Sequence, residues 1–160
     1  MLTKIPLPTG ATSAEVYPSM TVNGNADWMD TLEASGNEFV AGKEMMRGDY
    51  FPILSKAVQA YEPVIFTFVN GLTVEAAEEA MRDAGWQGAN FEQIATWAKE
   101  NRNDAFTSHF VIAIGQVWNR GGSNHYPVTM SWAGKRRLTT QEVLSPGVNG
   151  YRVLAVRRVK

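Results

Sequence analysis

Cysteine is absent from the chain, which removes a disulfide framework, thiolate metal sites and cysteine nucleophiles together. No apolar run approaches the ~20 residues that a membrane-spanning helix needs, so no membrane partner is expected. The opening Met1-Leu2-Thr3-Lys4-Ile5-Pro6-Leu7-Pro8 holds prolines where a secretory signal holds its apolar core, and it predicts cytoplasmic synthesis without a signal peptide. Catalytic strings are missing as well: there is no Gly-x-Ser-x-Gly, no phosphate-binding loop and no Gly-x-Gly-x-x-Gly. The two histidines, His109 and His125, precede Phe110-Val111 and Tyr126-Pro127, neither in the His-x-Ser/Thr pattern of a two-histidine phosphoesterase. Beyond residue 100 only Asp104 and Glu142 are acidic, too few carboxylates to complete a metal site around those histidines. The reading leans away from an enzyme, and no catalytic residue, metal or cofactor is expected.

What remains is ample for one globular domain. Of 160 residues, 44% are hydrophobic and 19% charged, and a chain of this size buries roughly 70% of its unfolded surface. Charge is unevenly placed. Residues 1–100 carry 6 Lys/Arg against 14 Asp/Glu, a net of −8, whereas residues 101–160 carry 9 against 2, a net of +7. Such poles suit head-to-tail contact or an anion-binding face, or they mix when the halves fold together.

Residues 1–24 read as an extended N-terminal arm, because Pro6, Pro8, Gly10, Pro18 and Gly24 interrupt every potential element. Such an arm is either disordered or pinned by docking on its own domain or on a neighbour; Val16-Tyr17 could add a short edge strand. Residues 25–160 read as a single α+β domain. Asn25 is the expected cap of a helix over 26–34, and Pro52 opens a second helix to about Ala60, stopped by Glu62-Pro63. Phe39 to Gly48 is ambiguous, with a helical turn possible over Lys43 to Arg47. Val64–Val69 reads as a strand. Thr73 caps a helix that ends at Gly85, and Asn90 with Gln93 forms a capping box for another that ends near Asn101.

The organising feature is a hairpin. Phe110 to Trp118 is nearly all apolar, Asn119 to Asn124 is a polar tip with two glycines, and Tyr126 to Trp132 returns with Tyr126, Val128, Met130 and Trp132 on one face. Its register pairs residues whose numbers sum to about 243, so His125 faces Trp118. A basic turn (Gly134 to Arg137), a short element over 139–144 and a buried strand over 151–159 complete the domain. The expected fold is α+β: a mainly antiparallel sheet from the second half, with helices 73–84 and 90–101 packed on one face.

Four stretches, Val111-Ile112-Ala113-Ile114-Gly115, Tyr126-Pro127-Val128, Gly134-Lys135-Arg136-Arg137-Leu138 and Tyr151-Arg152-Val153-Leu154-Ala155-Val156-Arg157-Arg158, carry a resemblance. Over residues 74–160 the chain resembles a family of small uncharacterised proteins met in bacterial and phage genomes. The resemblance implies a phage-encoded chain, with assembly into a virion among its uses, and carries no residue role.

The leading expectation is a non-catalytic binding or assembly protein that meets a protein partner or another copy of itself. Its candidate interaction surface comprises Trp86, Arg120, His125, Lys135, Arg136, Arg137 and Arg152. Trp86, set between Gly85 and Gly88, is the tryptophan expected to be most exposed, whereas Trp118 and Trp132 read as core. The basic C-terminal strands with their aromatic neighbours also have the ingredients of a nucleic-acid surface. A third reading is a small-ligand pocket or active site built on Arg120, His125 and Trp132.

Overall fold

The computed structural model describes residues 5–38, 46–146 and 151–160. Expectations for residues 1–4, 39–45 and 147–150 lie outside them. In chain order the described elements are strands β1 (Ala11–Val16) and β2 (Met20–Asn23), helix α1 (Trp28–Ala34), β3 (Val58–Phe68), α2 (Val74–Asp83), β4 (Gln87–Gly88), α3 (Phe91–Glu100), the short α4 (Arg102–Ala105), β5 (Val111–Ile112), β6 (Trp118–Arg120), β7 (Ser123–Trp132), β8 (Lys135–Glu142) and β9 (Arg152–Arg158). The fold is α+β, with one sheet built mainly from the C-terminal strands and helices alongside. β3 lies beside β9; β4 and β5 share the far edge of β9; β7 follows, and β8 lies beyond it. Every pairing is antiparallel except β5 with β9.

Much of the stretch that reads as an arm belongs to this sheet. β1 and β2 pair one after the other along the same edge of β3, Val16 facing Val64 and Met20 facing Tyr61. The junction explains how Pro63 sits inside an 11-residue strand. Its carbonyl accepts from the Tyr17 N–H at 3.2 Å, so its ring nitrogen points to the same side, where β1 has ended and β2 has not begun. No ladder bond is lost.

Alternation along the strands divides the core into two layers. Ile65, Leu154 and Val156 pack with Phe91, Ile94 and Trp97 of α3 and with Leu32 of α1. Val64, Phe66, Val153 and Ala155 pack with Val74, Ala77 and Met81 of α2. The helices expected on one face therefore cover opposite faces, because the strands between them are apolar on both sides.

Three local expectations change. Asp27, not Asn25, caps α1, its carboxylate accepting the Met29 N–H at 2.8 Å. The second helix does not form, since residues 52–56 carry no helix or strand and β3 begins at Val58. The polar groups a helix would use there are taken: Pro52 C=O by the Gln116 amide at 2.7 Å, Leu54 and Ser55 N–H by Glu92, and Ala57 C=O by Gly24 N–H. Finally, the 110–118 strand is broken. Ile112 faces Val128 while Trp118 faces His125, so the number sum shifts from 240 to 243; Ala113 N–H still reaches Pro127 C=O, and residues 114–117 leave the ladder.

Candidate interaction surface

β7 and β8 form the longest hairpin among the described strands, Trp132 facing Lys135 across a two-residue turn. Both turn residues lie at positive φ, Ala133 at 51° and Gly134 at 76°, the geometry of a type I′ turn. An alanine in that region costs roughly 1–2 kcal/mol, and the eight pairs of the β7–β8 ladder hold it there. The rigid tip presents Trp132. Tyr126, Val128 and Met130 in the same row are buried, but Trp132 is 58% exposed, contrary to its reading as core. The row runs on past the covering layer, which alternation alone does not reveal. The Ala-Gly turn signal was the available clue.

Lys135 beside it is exposed, and Arg136 and Arg137 are half-buried. A strap from the end of α1 braces the outer edge of β8. Glu38 N–H donates to Arg136 C=O at 2.7 Å, the Glu38 carboxylate accepts the Arg136 N–H at 2.6 Å, and Asn37 accepts the Leu138 N–H at 2.6 Å. The Arg136 N–H bond, aided by the charges of Arg136 and Lys135, holds the Glu38 carboxyl below the usual carboxylate value. A depressed folded-state pKa makes its contribution complete above the ordinary carboxylate range and lost as pH falls through the folded value. Carbon-detected NMR titration should place the Glu38 midpoint below that of an unstructured glutamate. A midpoint at the ordinary value would mean that the strap bond is absent in solution.

The other candidates disperse. Trp86 is 2% exposed, a correction with a clear cause. Gly85 N–H donates to Arg82 C=O and Trp86 N–H to Met81 C=O, a Schellman motif that turns the next side chain back over the helix end. Trp86 thus packs edge-on against Phe66, with Arg157 4.3 Å above its ring. Arg152 is a fastener rather than a contact residue: it lies 3.7 Å from Glu15 and donates to Asp104 C=O at 3.2 Å. Tyr17 adjoins it, donating to Glu15 at 3.2 Å, and burial followed by the Glu15 and Asp104 charges raises its phenol well above the ordinary value.

Arg120 and His125 sit at the opposite end of β7. There Trp118 stacks on Tyr50, centroids 3.7 Å apart at 8°, with Arg120 5.8 Å over Trp118 and the His125 ring 5.5 Å away. The tip is tighter than the expected six-residue loop, because Arg120 pairs with Ser123 and only Gly121-Gly122 turn. His125 and Trp132 are seven residues apart on one strand, about 23 Å, so Arg120, His125 and Trp132 do not line one pocket. The seven sequence candidates thus separate: Lys135 and Arg137 share the Trp132 face of the hairpin, Arg136 leaves the opposite face beside Glu38, and the other four lie elsewhere.

The face of the sheet that carries Trp132 also carries α2, whose Glu75, Glu79 and Asp83 are exposed. Burial, opposed by the Arg82 charge and aided by Glu75, raises the half-buried Glu78 above the usual carboxylate value; burial with Glu75 and Glu78 raises Tyr126. Among the described residues no three acidic or histidine side chains are grouped to hold a metal, and no helix is long and apolar enough to cross a membrane. Comparison with known protein families, curated proteins and solved structures finds no match to the chain.

Proposed function

We propose that this is a non-catalytic binding protein that works in an assembly, and that the β7–β8 hairpin is its docking element. The observation that carries the reading is the exposed Trp132 indole, held on a strained and rigid turn beside Lys135. Tryptophan is enriched at the centres of interfaces, where a fixed ring adds contact area with little loss of conformational freedom. The adjoining cations select a partner surface that is acidic around an apolar spot. The resemblance of residues 74–160 to bacterial and phage proteins supports an assembly role, a virion component included.

The test uses polyglutamate as the acidic probe, followed by isothermal titration calorimetry at about 50 mM and about 500 mM salt, a range that shortens the Debye length several-fold. Binding should be seen at low salt, fade at high salt, and fall at least about tenfold in Trp132→Ser with the melting temperature unchanged. Equal binding by the variant removes the hairpin from the proposal. The nucleic-acid reading rests on Trp132 with Lys135–Arg137 as ring and cations. It displaces the first reading if a single-stranded oligonucleotide of equal charge binds tighter than polyglutamate and depends on Trp132.

A further inference from the structure

We infer that the hairpin's partner is a second copy of this chain, docked about a two-fold axis so that each Trp132 tip meets the acidic outer face of the other copy's α2. The inference rests on the hairpin being the docking element, and it supplies that element's partner.

Both surfaces lie on one face of the sheet. Tyr126 and Val128 of β7 pack in the layer that includes Val74, Ala77 and Met81 of α2, and Trp132 continues the row of Tyr126, Val128 and Met130. Glu75 and Glu78 act on the Tyr126 phenol, which places the acidic helix over the beginning of β7. Trp132 is six residues further along, about 20 Å away. That separation prevents the tip from folding onto α2 of its own copy. The charges are complementary: Lys135 stands exposed beside Trp132 at the tip, and Glu75, Glu79 and Asp83 are exposed on α2, whose one basic residue is Arg82.

Geometry then selects closure over a filament. Take a two-fold axis parallel to the sheet and perpendicular to β7, lying outside the α2-bearing face above the midpoint between the patches. It turns a second copy face to face and sets its acidic helix over the first tip. The same operation sets its own tip over the first copy's helix. One arrangement makes both contacts, as an isologous dimer requires. A cation from the second copy would join Arg82 in offsetting burial and Glu75 at Glu78.

Sedimentation velocity on the full chain tests this across a concentration series at about 50 mM and about 500 mM salt. The wild type should move from 17.7 kDa toward twice that mass with concentration at low salt, and less at high salt. Lys135→Glu and Glu79→Lys, both at exposed positions, should each weaken self-association at least about tenfold. An equal mixture of the two should restore it, since each heterodimer contact then pairs opposite charges. Unchanged melting temperatures confirm folding. A wild type at 17.7 kDa throughout, or a mixture no better than its components, overturns the inference. Were polyglutamate still to bind through Trp132 in that case, the hairpin would remain a docking element for a different acidic partner.

Discussion

Gly115→Ala is expected to leave the protein unfolded, or less stable by at least about 3 kcal/mol in urea denaturation, the upper end of overpacking costs. A Cβ on Gly115 would lie 2.0 Å from the Gly88 carbonyl oxygen and 2.9 Å from that of Ala89. Both obstacles are main chain, so no rotamer change relieves them. The contact is also where the sheet is joined. Gly115 N–H donates to Ala89 C=O at 2.9 Å, tying the segment after β5 to the segment after β4, and both strands lie along the same edge of β9. Moving one backbone to admit a methyl group breaks that bond and disturbs Ala89 N–H, which donates to Leu154 C=O. Gly122→Ala is the contrast. Nothing lies within 4 Å of its added Cβ, so only its positive φ of 96° resists substitution, at roughly 1–2 kcal/mol. A Gly115→Ala protein as stable as Gly122→Ala would show that the two backbones do not meet in solution.

That glycine also marks the boundary of what the sequence could reveal. Where a signal is local, it was readable: Thr73 and Gly85 bound α2, the Asn90–Gln93 box opens α3, and His125 faces Trp118 as the turn arithmetic requires. Where the decisive partner is distant, it was not. Gly115-Gln116 sits inside a run that reads as one strand, yet Gln116 leaves the ladder to bond Pro52 C=O and Phe91 N–H. The same long-range bonds deny residues 52–57 the helix that Pro52 suggests. Sidedness was hidden too, since a strand apolar on both faces does not say which helix covers which face. For the interaction surface, composition selected the cations, but exposure decided among them. Trp86 and Trp132 exchanged roles, one through a helix-end motif and the other through the place where the covering layer stops.

Glu92→Ala is expected to cost about 3–5 kcal/mol, the sum for two half-buried hydrogen bonds to a charged acceptor together with lost packing. Glu92 is 1% exposed, and among the described ion pairs none includes it. Backbone groups hold its charge instead. Ser55 N–H donates to its carboxylate at 2.9 Å, Leu54 N–H approaches both oxygens at 3.2 Å, and the residue occupies the second position of α3, where the helix dipole favours an anion. Removing the carboxylate leaves those two N–H groups facing a void, and it frees the segment that carries Gly24's partner at Ala57. Glu92→Gln is milder, at about 1–2 kcal/mol, because one carbonyl oxygen still accepts while the new NH2 faces donors. Urea midpoints rank the variants, and amide exchange at Leu54 and Ser55 locates the damage. Should Glu92→Ala match the wild type in both, the 51–57 segment would be held by Gln116 and packing alone, and the buried charge would have no part in shaping the fold.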